Sequence, residues 1–373
     1  MDWFLSNLYT VGVVGALLFF GSFLRIWVRK PAWSFFCIGC GLLLAVGGGA
    51  AYIAFGPPGR EKTKDEEKRP GPHAPLPDTA LKRLRLDWSS EAEADWPVAG
   101  TLATISEIAY LPPVDAKKIY GDMGFTEFMP IVSGSMIGYV ISNEDVTVVA
   151  FRGTDFNEVS DWIANLGRSA TDTPHGQIHT GFYDAYMSMK PQVMALLKAR
   201  KSKYLWITGH SLGGALALVC AYDLIESEKM EINGLITFGQ PMVARKPLAE
   251  YLDSLLLGRY ARFVNDADIV PRVPPSHAPC GSLVWFTASG IKRSNRKLFG
   301  AGPDDVPVRE GAEPVPLTEE QFRLLQTKLK AESAEANKLI DGRPVFMAGP
   351  PLIDDHSMHF YVGKVRQMLH EPD

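Results

Sequence analysis

Two charge-free apolar runs open the chain, Phe4 to Leu24 and Ala32 to Phe55. Each runs for about 20 residues or slightly more, long enough for a helix to cross a hydrocarbon core of about 30 Å. Between them lies a short basic turn, "RIWVRKP", with Trp27 and Trp33 at its polar edges, where indole rings prefer to sit. The pattern predicts a two-helix transmembrane hairpin over 1–56, with the lipid bilayer as a partner. The turn offers Arg25, Arg29 and Lys30, and the far flank offers Arg60, Lys62, Lys64, Lys68 and Arg69. That count favours both termini, and the domain after the hairpin, on the cytoplasmic side. From 57 to 97 the pattern breaks into proline and charge, as in "GPPGREKTKDEEKRPGPHAPLPD". This reads as a linker, and about forty flexible residues have an r.m.s. span of roughly 35 Å.

From 98 to 373 helical and strand patterns alternate. "TLATISEIAYL" has helical spacing, and "GSMIGYVIS" and "VTVVAFRG" read as strands separated by "NED". "HTGFYDAYMSMKPQVMALLKARK" reads as a helix that Pro191 is expected to bend. Then come the strand "YLWITG", the helix "LGGALALVCAYDLI", the strand "GLITFG", the helix "PLAEYLDSLL" and the strand "YARFVN". Strands alternating with helices imply an α/β fold, a mostly parallel sheet flanked by helices. "LTEEQFRLLQTKLKAESAEANKL" is an amphipathic helix in a late insertion at about 291–350.

Composition narrows the field only a little. The chain has 373 residues, 46% hydrophobic and 21% charged, with a net charge of −4. There is no basic excess of the kind a nucleic acid partner requires. The cysteines Cys37, Cys40, Cys220 and Cys280 do not make a disulfide framework. Cys37 and Cys40 form a CxxC inside an apolar run with no histidine near, which fits small buried side chains better than a metal or redox site. No metal ligand set is read from the sequence.

One motif carries chemistry. In Gly209-His210-Ser211-Leu212-Gly213 a serine stands where a strand ends and a helix begins. G-x-S-x-G at such a junction is a nucleophile elbow: the turn is strained, and side chains two residues either side would clash. A serine hydroxyl needs a base, and the base needs an orienting acid, in the order Ser, Asp, His for this architecture. "RFVNDADIVPRVPP" offers Asp266 and Asp268, and "IDDHSMHFYV" offers His356 and His359. Spacing alone does not choose within either pair. The side chain of His210 is expected to point away from the reacting groups and to act as support.

At these residues the chain resembles the class 3 lipases, the fungal-type family of the α/β-hydrolase fold. The likeness runs from about Leu102 to Gly363 through "AFRGT", "DWIANL", "HTGFYDAY", "GHSLGGALA", "TFGQP", "FVNDADIVPRVPP" and "DDHSM". It selects Asp268, the acid directly before I-V-P, and His356, which opens the "HSM" run. It places Thr154 and Leu212 as the two backbone N–H donors of an oxyanion hole. Where the family reads "GQPRVG" this chain has "GQPMVA", with Met242 and Ala244 in place of Arg and Gly.

The resemblance implies a serine ester hydrolase cleaving acyl-glycerol esters, with Ser211, His356 and Asp268 as triad and no cofactor. Phospholipase A1 or short-chain esterase activity is the alternative within enzymes. A catalytically silent lipid-binding module is the alternative from another class. Phe156, Val159, Trp162 and Ile163 form either an apolar lid over the site or ordinary core. Protein partners are not legible.

Overall fold

The computed structural model describes residues 79–85, 96–288, 290–293, 314–336, 339–340, 343–344 and 351–370. The expected hairpin over 1–56 lies outside the described residues, as does most of the 57–97 linker. No helix among the described residues is long and apolar enough to cross a membrane. The chain divides into two compact units, Met1–Pro70 with Pro112–Val114, and Gly71–Leu111 with Asp115–Asp373. Of the first, only Pro112, Pro113 and Val114 are described. The second carries the whole of the main sheet.

Among the described residues three helices come first: α1 (Thr79–Arg83), α2 (Trp96–Ile108) and α3 (Pro113–Asp122). α1 falls inside the stretch read as linker. Its Leu81, and Leu84 one turn on, are buried, and the Leu84 carbonyl accepts the Trp206 indole N–H at 2.7 Å. An i, i+3 leucine pair is enough to seat a short helix, even amid polar sequence.

The sheet begins antiparallel with β1 (Glu127–Ser133), β2 (Met136–Ser142) and β3 (Val146–Phe151). A 3₁₀ turn (Phe156–Glu158), the helix α4 (Val159–Asn165) and a small hairpin, β4 (Ala170–Thr173) and β5 (Gly176–His179), lead into α5 (Thr180–Ala199). α5 continues through Pro191. Then come β6 (Tyr204–His210), α6 (Leu212–Glu226), β7 (Gly234–Phe238), α7 (Lys246–Leu255) and β8 (Tyr260–Asn265). The hairpin β9 (Ser282–Thr287) and β10 (Gly290–Arg293), the late helix α8 (Glu319–Ala336) and the last helix α9 (Met358–His370) complete the fold.

The sheet order is β1-β2-β3-β6-β7-β8-β9-β10, parallel from β3 through β9 and antiparallel at both margins. This is the expected mostly parallel α/β architecture with helices on both faces. Ile291, expected to start the insertion, pairs with Phe286 as part of β10.

The strands explain themselves through the two-residue period of their side chains. Val149 and Phe151 of β3, with Leu205 and Ile207 of β6, join the core under α5, α6 and α7. Val148, Ala150 and Trp206 point the other way, into the core under α1, α2 and α9. A strand covered on both faces must be apolar throughout, which is why "VTVVAF" and "YLWIT" are unbroken runs. Each large apolar side chain removed from water in these two layers contributes about 1.5–3 kcal/mol.

Candidate active site

β6 delivers Ser211 at its C-terminal end, on the rim of the sheet where open α/β folds bind ligands. Ser211 has φ 58° and ψ −130°, a left-handed conformation that strains any residue with a Cβ. Its N–H donates to the Phe238 carbonyl at 3.0 Å, and its own carbonyl accepts from the N–H groups of Gly214 and Ala215 in the first turn of α6. The flanking glycines are steric requirements. A methyl on Gly209 would strike the backbone of Gly213, and one on Gly213 would strike the Phe151 carbonyl of β3. The elbow is therefore pressed against the end of β3.

That contact puts the segment after β3 beside Ser211. A methyl on Gly153 would come within 3.0 Å of the Ser211 Cβ and would hit the Tyr110 hydroxyl and His210 carbonyl. Thr154 is the next residue. Leu212 opens α6, so its N–H has no intrahelical acceptor and the positive end of the helix faces the same place.

β8 leads to the candidate acid. Asp268 sits three residues beyond its end, completely buried, with its N–H on the Asn265 carbonyl at 2.8 Å. Its Oδ1 accepts the Val270 N–H at 2.9 Å. Its Oδ2 accepts His356 Nδ1–H at 2.9 Å and the Tyr361 hydroxyl at 2.5 Å. The Tyr361 oxygen in turn accepts the Asn265 N–H at 3.0 Å. Burial, and then the neighbouring Asp268 charge, hold the Tyr361 phenol well above its ordinary range, so it remains a donor.

His356 is also completely buried. A carboxylate can only accept, so Nδ1 carries the proton and Nε2 is bare. Among the described residues, His356 Nε2 and Ser211 Oγ are two buried polar atoms left without hydrogen-bond partners. An imidazole in this tautomer can take a proton from a hydroxyl, and an unpaired serine hydroxyl can supply one.

The structure thus brings Asp268 and His356 together and leaves their neighbours outside. Asp266 is exposed, at φ 37°, and its carbonyl accepts the Trp285 indole N–H. His359 lies 3.4 Å from Glu107 instead. His210 faces away from Ser211: its Nδ1 is 2.7 Å from the Tyr110 hydroxyl, and its Nε2 is 2.7 Å from the His356 carbonyl. Val159 and Ile163 are buried, whereas Phe156 and Trp162 are half-buried, and the Trp162 ring stacks on Phe182 at 6.3 Å. No group of three or more His, Cys, Asp or Glu among the described residues is placed to hold a metal ion.

The late helix α8 packs against α4. Phe322 and Leu329 are buried there, and the Gln326 amide donates to the carbonyls of Ile163 and Leu166 at 3.0 Å each. Arg168 pairs with Glu319. The approach to α8 is tied to the acid loop, with Leu317 N–H on the Arg272 carbonyl at 3.0 Å and Arg272 Nε on the Val315 carbonyl at 2.9 Å.

The family model "Lipase (class 3)" matches residues 148–278, which carry Thr154, Ser211 and Asp268. Over this segment the chain is similar to the class 3 lipases. A lipase of Rhizomucor miehei is 34% identical over 160 residues, which cover 39% of this chain and 43% of that protein. Triacylglycerol lipase OBL1 of Arabidopsis thaliana is 27% identical over 177 residues, covering 35% of this chain and 34% of that one. The chain therefore spans less than half the length of these curated relatives. The solved structure of the Rhizomucor miehei triacylglyceride lipase aligns at 28% identity and a TM-score of 0.44, covering 51% of this chain and 79% of that one.

His356 and Tyr361 lie beyond the matched class 3 lipase segment. The departure at "GQPMVA" falls inside it and is a brace: Met242 N–H meets the Val273 carbonyl at 2.8 Å, and Ala244 bridges Ile178 and Ala278. Sequence reasoning missed Tyr110, Tyr361 and Gln326. Each is one polar group on an otherwise ordinary helix face or helix end, and its partner is far away in the chain.

Proposed function

We propose that this class 3 lipase domain is a serine ester hydrolase that cleaves acyl-glycerol esters. The observation that carries the reading is the pairing of His356 with Asp268 at 2.9 Å while His356 Nε2 and Ser211 Oγ stay buried and unpaired. The Ser211 Oγ attacks the ester carbonyl as its proton passes to His356 Nε2. The tetrahedral oxyanion is held by the N–H groups of Thr154 and Leu212. Loss of one such donor typically costs about 3 kcal/mol of transition-state stabilisation. His356 then protonates the departing alcohol, leaving an acyl-serine. Water attacks that ester with His356 again as base, releases the carboxylic acid and restores Ser211. Asp268 keeps the imidazole in one tautomer and stabilises the imidazolium. No step requires a cofactor.

Ser211 and His356 are shut off from solvent, so a cover has to move before an ester enters. The cover we propose is Phe156, Val159, Trp162 and Ile163 on the 3₁₀ turn and α4. It comes directly after the Thr154 segment and offers apolar surface to a lipid interface. The hairpin expected over 1–56 and the 57–97 linker would hold the domain near insoluble substrate, on the cytoplasmic side. A C-terminal reporter active only across the membrane should stay silent, and a strong signal would overturn that orientation.

Detergent-purified full-length protein is assayed on p-nitrophenyl esters from acetyl to palmitoyl and on emulsified triacylglycerol and phosphatidylcholine, beside Ser211→Ala. Turnover that disappears in the variant supports the reading. The preferred chain and headgroup separate lipase from phospholipase A1 and from short-chain esterase. No turnover by folded protein would move the silent lipid-binding module forward.

A further inference from the structure

We infer that His210 and Tyr110 are positioning residues: they form a two-bond relay that ties the loop carrying His356 to the strand carrying Ser211. The inference rests on the hydrolytic reading of the site. The two reacting groups come from distant parts of the chain, and Asp268 grips only the ring of His356. Nothing in that contact fixes where the His356 backbone stands relative to the serine.

Asn265 and Ala267 tie the neighbouring Asp355 to the acid loop, and His210 supplies the hold on the serine side. It is peptide-bonded to Ser211, and its Nε2 lies 2.7 Å from the His356 carbonyl oxygen. A carbonyl only accepts, so Nε2 carries the proton and Nδ1 is bare. The contact at Nδ1, 2.7 Å from the Tyr110 oxygen, must then be donated by the Tyr110 hydroxyl. One tautomer satisfies both bonds, and the chain of donors runs Tyr110 to His210 to the His356 carbonyl. The His210 and His356 rings lie 4.5 Å apart, and the Tyr361 ring flanks His210 at 5.8 Å.

The outer end is anchored too. The Tyr110 hydroxyl fills the space that a Cβ at Gly153 would need, directly before Thr154. The relay therefore touches the backbone at all three working points: oxyanion segment, nucleophile and base. Burial, and then the adjacent His356, push the His210 pKa well below its ordinary value. Burial likewise raises the Tyr110 phenol well above its own. Both partners keep the protonation states the relay needs while His356 takes up and releases its proton.

The test compares kcat and KM on a soluble short-chain p-nitrophenyl ester for the parent, Ser211→Ala, His210→Phe, His210→Gln and Tyr110→Phe. His210→Phe keeps a ring but removes both bonds. Its kcat should fall by about 10²-fold, the typical cost of misplacing a reacting group by about 1 Å, with KM within about twofold. His210→Gln can still donate to the His356 carbonyl and should recover about tenfold of that loss. Tyr110→Phe leaves the carbonyl bond and should lose only about three- to tenfold. A kcat for His210→Phe within about threefold of the parent overturns the relay, as does a His210→Gln variant no better than His210→Phe. Should His210→Phe not fold, parental kcat in both His210→Gln and Tyr110→Phe overturns it equally. Failure of the hydrolytic reading looks different: Ser211→Ala would then match the parent.

Discussion

The floor and the cover of the site are built in opposite ways. On the floor, Asp268 receives three donors, Tyr361 both accepts and donates, and His210 uses both ring nitrogens. These groups come from strand ends, from the end of α2, from the turn before α9 and from its first turn, and their geometry is over-determined. The proposed cover, the 3₁₀ turn and α4, is a short segment held by apolar contacts, by two bonds from one Gln326 amide and by the Arg168–Glu319 pair. The contrast teaches a division of labour. On the proposed reading, reacting groups are preorganised so that no reorganisation is needed at the moment of reaction, while access depends on contacts weak enough to break.

The largest effect expected on the floor is that of Asp268→Asn. An amide there presents a donor to His356 Nδ1 and favours the wrong tautomer. kcat should drop by about 10⁴-fold with an unchanged circular dichroism spectrum. A drop below tenfold would show that the floor tolerates loss of its acid.

Acid comes next, because it acts on both regions. His277 is buried beside the Pro275 backbone, and burial, with His179 as a like-charged neighbour, lowers its pKa to about 4. His179 is lowered in the same direction, chiefly by burial. Its Nδ1 caps α5 on the Phe182 N–H, and its Nε2 ties to the Gly167 carbonyl just after α4. A histidine depressed on folding binds its proton more readily when unfolded. The stability it confers is present above the unfolded value near 6.5 and is lost as pH falls towards the folded value. Urea unfolding should show a loss on the order of 2 kcal/mol between pH 6.5 and 4 for His277 alone. His277→Phe should flatten that slope; an unchanged slope would place the acid sensitivity elsewhere.

Tyr361→Phe is a finer probe of the floor. It removes one donor from Asp268 and strands the buried Asn265 N–H. The expected result is about tenfold lower kcat and about 1–2 kcal/mol lower stability. On the cover, Gln326→Ala should raise turnover of dispersed, non-micellar ester by roughly five- to thirtyfold, the value of one to two hydrogen bonds at about 1 kcal/mol each. Turnover on micelles, where the cover is already displaced, should barely change. Equal changes on both substrates would mean that α8 does not restrain the cover.

The same contrast explains what could be read from the chain. β6, α6, β7 and β8 were legible because each is buried and periodic, and Ser211 was legible because glycine is compulsory around it. β1 was missed: only Ile131 of its residues is buried, Pro130 sits inside it, and it lies at the sheet edge, where neither feature is penalised. The β4–β5 hairpin is four residues a side and mostly half-exposed, so its pattern is faint. α1 looked like linker because two leucines decide it. Asp268 and His356 emerged from a resemblance, and the structure sets them apart from Asp266 and His359 by distance. Tyr110, Tyr361 and Gln326 have partners 100, 93 and 163 residues away, a relation no local window contains.

Covalent labelling decides whether a primed floor lies beneath a closed cover. Full-length protein is treated with an alkyl fluorophosphonate, whose phosphorus accepts a serine oxygen as fluoride leaves, with and without detergent micelles, and the adduct is mapped by mass spectrometry. One adduct is expected, on Ser211, forming slowly in buffer and much faster with micelles, and none in Ser211→Ala. Labelling at the same rate in both conditions, or on another residue, would contradict it.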